Sequence, residues 1–456
     1  MFALSEVASK IINFVLVPLY TYVLTKEQYG TADLVFTFAS LFSPLIMFNL
    51  GEALMRFLLD KETDDSKIRH IEFLTIGFGF IVSLIFIPII AVLPGVGEYN
   101  IFMYLYMTFY AFQQVTVAYI RGKEKLMLYA VCNIINTLLT ASLNILFLVE
   151  LKLGIEGYLM AYTLAYAITG ILAFFSGDQL KNYERKPIDK TLAKQMILFS
   201  LAVIPNSMMW WIINSSDRLM VSYISGMDEN GLLTVAYKIP SLLTTLSFVL
   251  MQAWKYSAIN EKDSKDKTEF NNKILYLFFR TMLLISAVLL IFNKMIVRIY
   301  STEYFDSWQA SSYLMFGNVF LAAATFFGTS YYVEKKMRGN LLSVVIGAVV
   351  NIIFNFLLIP YFGATGATMA AAICYVVIMI YRYVDTQKFL KLIFWTPGNL
   401  INMVLFLVLL INTNLSYTYE FQISAALLFV LLMINIPYIK MIFSYVSEMF
   451  SRLRRK

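Results

Sequence analysis

The chain has 456 residues, 59% of them hydrophobic and only 14% charged, with a net charge of +7 and two cysteines. Soluble domains carry about 25% charged residues, so a soluble enzyme, or a soluble domain with one anchor, is excluded. Apolar runs of about 20 residues recur from end to end and mark a polytopic all-α membrane protein, without the short alternation of a membrane β-barrel.

In chain order the runs predict fourteen spans: 2–24, 33–58, 71–94, 99–120, 127–149, 155–176, 196–224, 231–257, 273–300, 308–333, 340–360, 365–384, 398–414 and 421–440. The first leads straight into the rest and reads as a span, not a cleaved leader. The second and eighth hold more polar residues than a lipid-facing helix. Cys132 and Cys374 fall inside apolar segments as small packing residues. His70, the one histidine, falls in a charged loop, which argues against a histidine-based metal site or triad.

The loops orient these spans. Loops at 59–70, 121–126, 177–195, 258–273, 334–339 and 382–397, with the C-terminal tail, hold 26 basic residues, whereas the intervening loops hold only Lys26 and Lys152. Positive charge collects on the cytoplasmic side, so both termini are expected there. Topology accounts for the net charge without a nucleic-acid partner.

An internal repeat follows. "KEQYGTADLVFTFASLFSPL" (26–45) aligns with "MDENGLLTVAYKIPSLLTTL" (227–246), pairing Gly30 with Gly231 at an offset of 201. "GIEGYLMA" (154–161) aligns with "GATGATMA" (363–370) at an offset of 209. Six spans per copy leave both copies pointing the same way, as parallel repeats. The expected organisation is a six-helix lobe at 1–176, a basic cytoplasmic linker at 177–190, a second lobe at 191–385, and a two-helix extension with a basic tail at 386–456. Two lobes with a seam describe an alternating-access transporter.

Eight basic residues fall inside the spans: Lys10, Arg56, Arg218, Lys238, Lys255, Arg280, Lys294 and Arg298. Each costs about 2.5–3.5 kcal/mol at mid-bilayer. Lys294 and Arg298 lie near a span end and snorkel to the headgroups; the same account is open for Arg56 and Lys255. Lys10, Arg218, Lys238 and Arg280 lie deeper, and either line a water-filled cavity or pair within the bundle. Together Lys10, Arg56, Arg218, Lys238, Lys255 and Arg280 make a candidate cationic site for an anion, phosphate above all. Glu6, Glu52 and Asp217 are read as the acids of the lobe helices. They either carry a coupling proton or Na⁺, or pair with Lys10, Arg56 and Arg218. Asn13, Asn49, Asn206 and Asn214 offer donors to sugar hydroxyls or to a neighbouring helix. No GxxxxGK[ST] motif occurs, so ATP hydrolysis is not the expected drive, and no other cofactor is expected.

"SKIINFVLVPLYTYVLTKEQYGTADL" (9–34), "NLGEALMRF" (49–57) and "NSSDRLMVSYI" (214–224) resemble the polysaccharide-transporter family of bacterial lipid-linked oligosaccharide flippases, which includes the O-antigen flippases. Its superfamily is shared with multidrug and toxin extrusion proteins and the lipid II flippase. The resemblance implies a V-shaped pair of six-helix bundles around a cationic cavity in the bacterial cytoplasmic membrane. It implies as cargo an undecaprenyl-diphosphate-linked oligosaccharide, flipped to the outer leaflet, with membrane lipids, a polymerase and other glycan-assembly proteins as partners. The family's second-helix arginine falls on Arg56 and its seventh-helix pair on Asp217 and Arg218. Family members carry residues ahead of the first helix, whereas this chain begins almost inside it; spans 13 and 14 suggest a lipid-tail groove.

A multidrug or cation antiporter would want acids in the cavity, where bases outnumber them here. A membrane-embedded glycan polymerase or glycosyltransferase would show a large outer loop or a carboxylate cluster, and the outer loops are short. A scaffold would not need the repeat and the buried cations. The expectation is a transporter that is not an enzyme.

Overall fold

A computed structural model describes residues 2–59, 64–93, 95–177, 188–260, 266–334, 336–415 and 417–441, with the backbone alone at 2–6, 206, 253, 255–257, 259 and 260. Among these residues there is no strand, and every predicted span falls on helix. The helices are α1 (Phe2–Val15 and Val17–Val23), α2 (Lys26–Ile46 and Leu50–Leu58), α3 (Asp65–Ala91), α4 (Asn100–Gly122), α5 (Leu126–Asn144, continued by a π-helical turn, Ile145–Glu150) and α6 (Gly154–Ser176). They continue with α7 (Lys190–Ile224), α8 (Met227–Ala236 and Lys238–Asn260), α9 (Lys267–Val297), α10 (Ser307–Val333), α11 and α12 in one run (Met337–Thr386), α13 (Pro397–Asn414) and α14 (Glu420–Ile434). Residues 178–187 of the predicted linker (177–190) and residues 442–456 of the tail lie outside the described residues.

Local chemistry sets the boundaries. Thr25 and Gln28 form a reciprocal capping box at 3.2 Å in each direction, so α2 starts at Lys26, about two turns before the predicted boundary. Asp64 caps α3 by accepting from the Ser66 N–H at 2.9 Å. His70 therefore lies on a helix and is buried, not in a loop. Asp189 caps α7 by accepting from the Leu192 N–H at 3.1 Å, and the Lys67 ammonium meets the same carboxylate at 2.9 Å. The 50-residue run Met337–Thr386 is turned at Gly363, whose φ of 51° and ψ of −131° suit glycine alone. At about 1.5 Å per residue the run is more than twice as long as the ~30 Å hydrocarbon core, which yields two spans.

Taken singly, nine helices among the described residues are long and apolar enough to cross a membrane, or ten with the bent pair Met227–Ala236 and Lys238–Gln252. Asn100–Gly122 falls short because it carries tyrosines and Gln113–Gln114, and it is an interior helix with most of its length buried. The protein is thus a multi-pass helical membrane protein.

The chain folds as two compact units, Met1–Val235 and Ala236–Lys456. The first has a core of touching aromatic rings. Tyr20 and Tyr29 meet Tyr158, Tyr158 meets Tyr162, and Phe36 bridges Tyr162 and Tyr106. Tyr106 and Tyr110 both contact Tyr166, with centroids 4.6–5.7 Å apart along the ladder. In the same unit the first turns of α2 and α8 cross at backbone distance. A methyl on Gly30 would overlap the Met227 carbonyl oxygen, and one on Gly231 would overlap the Lys26 carbonyl oxygen. Asn230 Nδ2 donates to the Gly30 carbonyl at 2.7 Å. These are the two glycines that the 201-residue offset pairs. The second unit has a phenylalanine and tryptophan core, with Trp254 and Phe278 on Phe326 and with Phe279 and Phe327 on Phe394. Its α10 is almost wholly buried against α12, where Gly317 leaves no room for a methyl beside Ala372.

Candidate functional site

The site is built around a break in α2. Pro44 sits in the last turn of the helix's first part, where its ring and missing N–H disrupt the hydrogen-bond ladder. Phe48 and Asn49 follow, both left-handed, with φ of 49° and 51°. Non-glycine residues rarely adopt that conformation, and it costs on the order of 1–3 kcal/mol each. The Asn49 N–H donates to the Pro44 carbonyl at 2.7 Å, and α2 resumes at Leu50.

Beside the break lies a cavity of about 270 Å³, wholly within the first unit. Its walls are Ser40, Ser43, Asn49 and Glu52 from α2, Tyr110, Gln113, Gln114 and Arg121 from α4, and Tyr129 and Asn133 from α5. Gln114 Nε2 donates to Gln113 Oε1 at 3.1 Å. Asn49 Nδ2 is buried and makes no hydrogen bond, and an unmet donor of this kind costs about 1–3 kcal/mol. Four amide side chains, one of them with the unmet donor, four hydroxylic residues and one charge of each sign are groups that match a hydroxyl-rich ligand. Tyr110 ends the tyrosine ladder here and adds a ring face.

Next to this wall, Trp211 Nε1 of α7 donates to Ser40 Oγ at 3.0 Å. Arg218 Nη1 meets Asp33 Oδ1 of α2 at 3.2 Å, with the arginine side chain 25% exposed and the aspartate 11%. Asp217 is buried and accepts the Arg218 backbone N–H at 2.9 Å. Asp33, on a different helix, is thus a carboxylate that faces the guanidinium.

The expected site residues fall as follows. Asn49 and Glu52 line the cavity, and Arg56, one turn on from Glu52, is exposed. Lys10 and Asn13 are exposed on α1, beside Ser9, which accepts from Thr137 Oγ1 of α5 at 2.8 Å. Asn214 is exposed and donates to the Trp210 carbonyl at 2.7 Å, so this amide is bonded within its own helix. Lys238 is half-buried at the start of the second part of α8. The side chains of Glu6, Asn206 and Lys255 lie outside the described residues.

Of the two outcomes expected for Arg280, the structure shows pairing within the bundle: its Nε donates to Asn399 Oδ1 at 3.1 Å and its Nη1 to Asn435 Oδ1 at 3.3 Å, with the guanidinium 3.9 Å from the Tyr438 ring centre. Only 6% of the residue is exposed, because α13 and the chain after α14 close over it. Lys294 is likewise paired, with Glu420 at 2.6 Å and over the Trp308 ring. Glu6, Glu52 and Asp217 are also not the only acids on the lobe helices. Asp33 faces Arg218, and Glu72 of α3 is buried with neither oxygen hydrogen bonded. Both stand at the very start of the predicted spans 33–58 and 71–94, whereas the capped starts of α2 and α3 come six or more residues earlier, which sets these two acids well inside their helices. Gln113 and Gln114 carried a signal: two adjacent amides inside a span are costly unless they meet polar partners.

The fold is shared with solved membrane transporters. The chain superimposes on the lipid II flippase MurJ in an inward closed conformation with a TM-score of 0.70 at 14% identity, covering 97% of this chain and 99% of that one. It matches an inward-facing multidrug resistance MATE transporter of the MOP superfamily with a TM-score of 0.66 at 14% identity, covering 85% and 97%. A MOP superfamily transporter from Pyrococcus furiosus, described as having a binding pocket of reversed polarity, gives 0.58 at 13% identity, covering 85% and 94%. In sequence, the chain is 26% identical over 225 residues to an uncharacterized membrane protein of Methanocaldococcus jannaschii, MJ1068, over 45% of this chain and 44% of that protein. The chain thus spans less than half the length of this curated relative. The chain belongs to the polysaccharide biosynthesis protein family, whose model matches residues 1–256, more than half its length.

Proposed function

We propose that the protein is an alternating-access flippase that carries an undecaprenyl-diphosphate-linked oligosaccharide across a bacterial cytoplasmic membrane for cell-surface polysaccharide synthesis. In this reading both termini are cytoplasmic, residues 1–176 and 191–385 are the moving lobes, and 386–456 is an extension. The observation that carries it is the polar cavity at the α2 break, which sets hydroxyl-matching groups in a helix that is otherwise hydrocarbon-spanning. Family membership and a fold shared with the lipid II flippase support the same reading.

The chemistry runs by partner exchange. Asp33 neutralises Arg218, which lowers the cost of holding a guanidinium at this depth. An arriving diphosphate offers a bidentate, doubly charged alternative, so Arg218 leaves Asp33 for it. The released carboxylate then takes up a proton or Na⁺, as does Glu52 at the cavity wall. Lys10, Arg56 and Lys238 add positive potential along the path. No bond of the cargo is made or broken.

Purified protein in vesicles should flip a fluorescent polyprenyl-diphosphate-linked disaccharide faster than protein-free vesicles do. Asp33→Asn and Arg218→Ala should each lower the rate by about tenfold or more, since each loses a charge-assisted contact. Equal rates with and without protein would refute the reading.

A further inference from the structure

Gly30, Asp33 and Thr37 lie on one face of α2, at spacings of three and four residues. Asp33 Oδ1 takes the Arg218 guanidinium, while its Oδ2 is buried and makes no hydrogen bond among the described residues. One turn further on, the Thr37 hydroxyl is buried and unbonded in the same way, in a residue 2% exposed. A third oxygen comes from the first part of α8. Asn230 is fully buried, and its Nδ2 is committed to the Gly30 carbonyl at 2.7 Å. Helix carbonyls point toward the next turn, which here is the turn of Asp33. The bond therefore brings the Asn230 amide to the same face of α2, and its Oδ1 is buried without a hydrogen bond among the described residues. All three residues belong to the first unit.

Asp33 Oδ2 and the Asn230 amide oxygen can only accept, and the Thr37 hydroxyl can accept as well. Burying such oxygens unmet is costly, and a cation meets them together. A proton on Oδ2 would serve one neighbouring acceptor at most, whereas a hard cation takes carboxylate, amide and hydroxyl oxygens at once. The guanidinium already on the carboxylate disfavours a divalent ion.

We propose that Asp33 Oδ2, Thr37 Oγ1 and Asn230 Oδ1 bind a sodium ion, so that the ion and Arg218 share one carboxylate, each on its own oxygen. The ion's role rests on the flippase reading above. When Arg218 leaves Asp33 for a diphosphate, the whole carboxylate charge falls to the ion, which then binds more tightly. By linkage, bound sodium favours the cargo-bound state by the same factor.

The test is the melting temperature of the purified full chain as sodium chloride replaces choline chloride at constant ionic strength. A ligand of the folded state raises stability with its concentration, so the wild type should melt higher in sodium. Asp33→Asn should remove that response. Thr37→Val, which keeps the side-chain shape, should raise the sodium dissociation constant from this titration about fivefold, the effect of losing one neutral ligand. Were Thr37 only a buried unmet hydroxyl, this variant would melt higher with its sodium response unchanged, and that result would overturn the proposal. So would a wild-type melting temperature that is the same in both salts. A polyprenyl-diphosphate-linked disaccharide should lower the sodium dissociation constant about fivefold or more. A sodium response that the disaccharide leaves unmoved would overturn the coupling and count against the flippase reading, while the ion site would stand on the response itself.

Discussion

Arg218 in the first unit and Arg280 and Arg382 in the second sit on membrane helices, yet their surroundings differ in kind. Arg218 faces a carboxylate, Asp33, and its side chain stays a quarter exposed. Arg280 is held by Asn399, Asn435 and the Tyr438 ring. Arg382 donates to Ser343 Oγ at 2.8 Å and to the Ala324 carbonyl and Asn340 Oδ1 at 2.9 Å each. Both second-unit arginines are buried among neutral acceptors. A cation held that way cannot exchange partners without leaving several buried acceptors unmet, whereas a cation opposite one acid can trade it for another anion. The cores follow the same division, with tyrosines running to a polar cavity in the first unit and phenylalanine packing in the second. Depth in the membrane is thus a poor guide to the role of a charge; the identity and exposure of its acceptors is a better one.

Substitutions sharpen this contrast. Arg382→Ala strands three buried acceptors and should lower stability by roughly 3–5 kcal/mol, read as a lower melting temperature of the solubilised protein and a reduced membrane level. Arg280→Met keeps the apolar bulk but loses two hydrogen bonds and the ring contact, for roughly 2–3 kcal/mol; the flipping rate per folded molecule should stay near wild type. Arg218→Ala leaves the buried Asp33 carboxylate without this cation, and flipping per folded molecule should fall about tenfold or more. If it melts as early as Arg382→Ala with transport per folded molecule intact, the division between the two units fails.

A smaller effect concerns the start of α7. The Lys67 ammonium, and then the Leu192 N–H, hold the Asp189 carboxyl below its usual pKa. A depressed carboxylate stabilises the fold above its unfolded pKa, about 3.9, and that contribution is lost as pH falls through the lower folded value. Asp189→Asn should therefore lower the melting temperature slightly at pH 7 and leave it unchanged near pH 2. An equal difference at both values would contradict the assignment.

Much of the fold was legible because the length of an apolar run is set by the bilayer itself. The pairing of Gly30 with Gly231 was legible too, and these residues meet at a backbone crossing. Asn49 and Glu52 were identified, and both line the cavity. Asp33 was not, because it stands at the edge of the predicted span, while the Thr25–Gln28 box that sets it two turns inside the helix lies in polar sequence. Arg121 was counted toward topology, a role compatible with lining the cavity. The pairing of Arg280 was not legible for a different reason. Its partners Asn399 and Asn435 lie 119 and 155 residues further along the chain, and only tertiary packing brings them to it.

The central claim is that the α2 break opens a wet chamber for a glycan within the hydrocarbon span. Asn49→Cys, in a chain whose buried Cys132 and Cys374 are replaced by alanine, can be challenged in open membrane fragments with a membrane-impermeant sulfonated thiol reagent. The thiol should be modified, and a polyprenyl-diphosphate-linked disaccharide should slow that modification. No modification, or modification at the same rate with and without the glycan, would contradict the account.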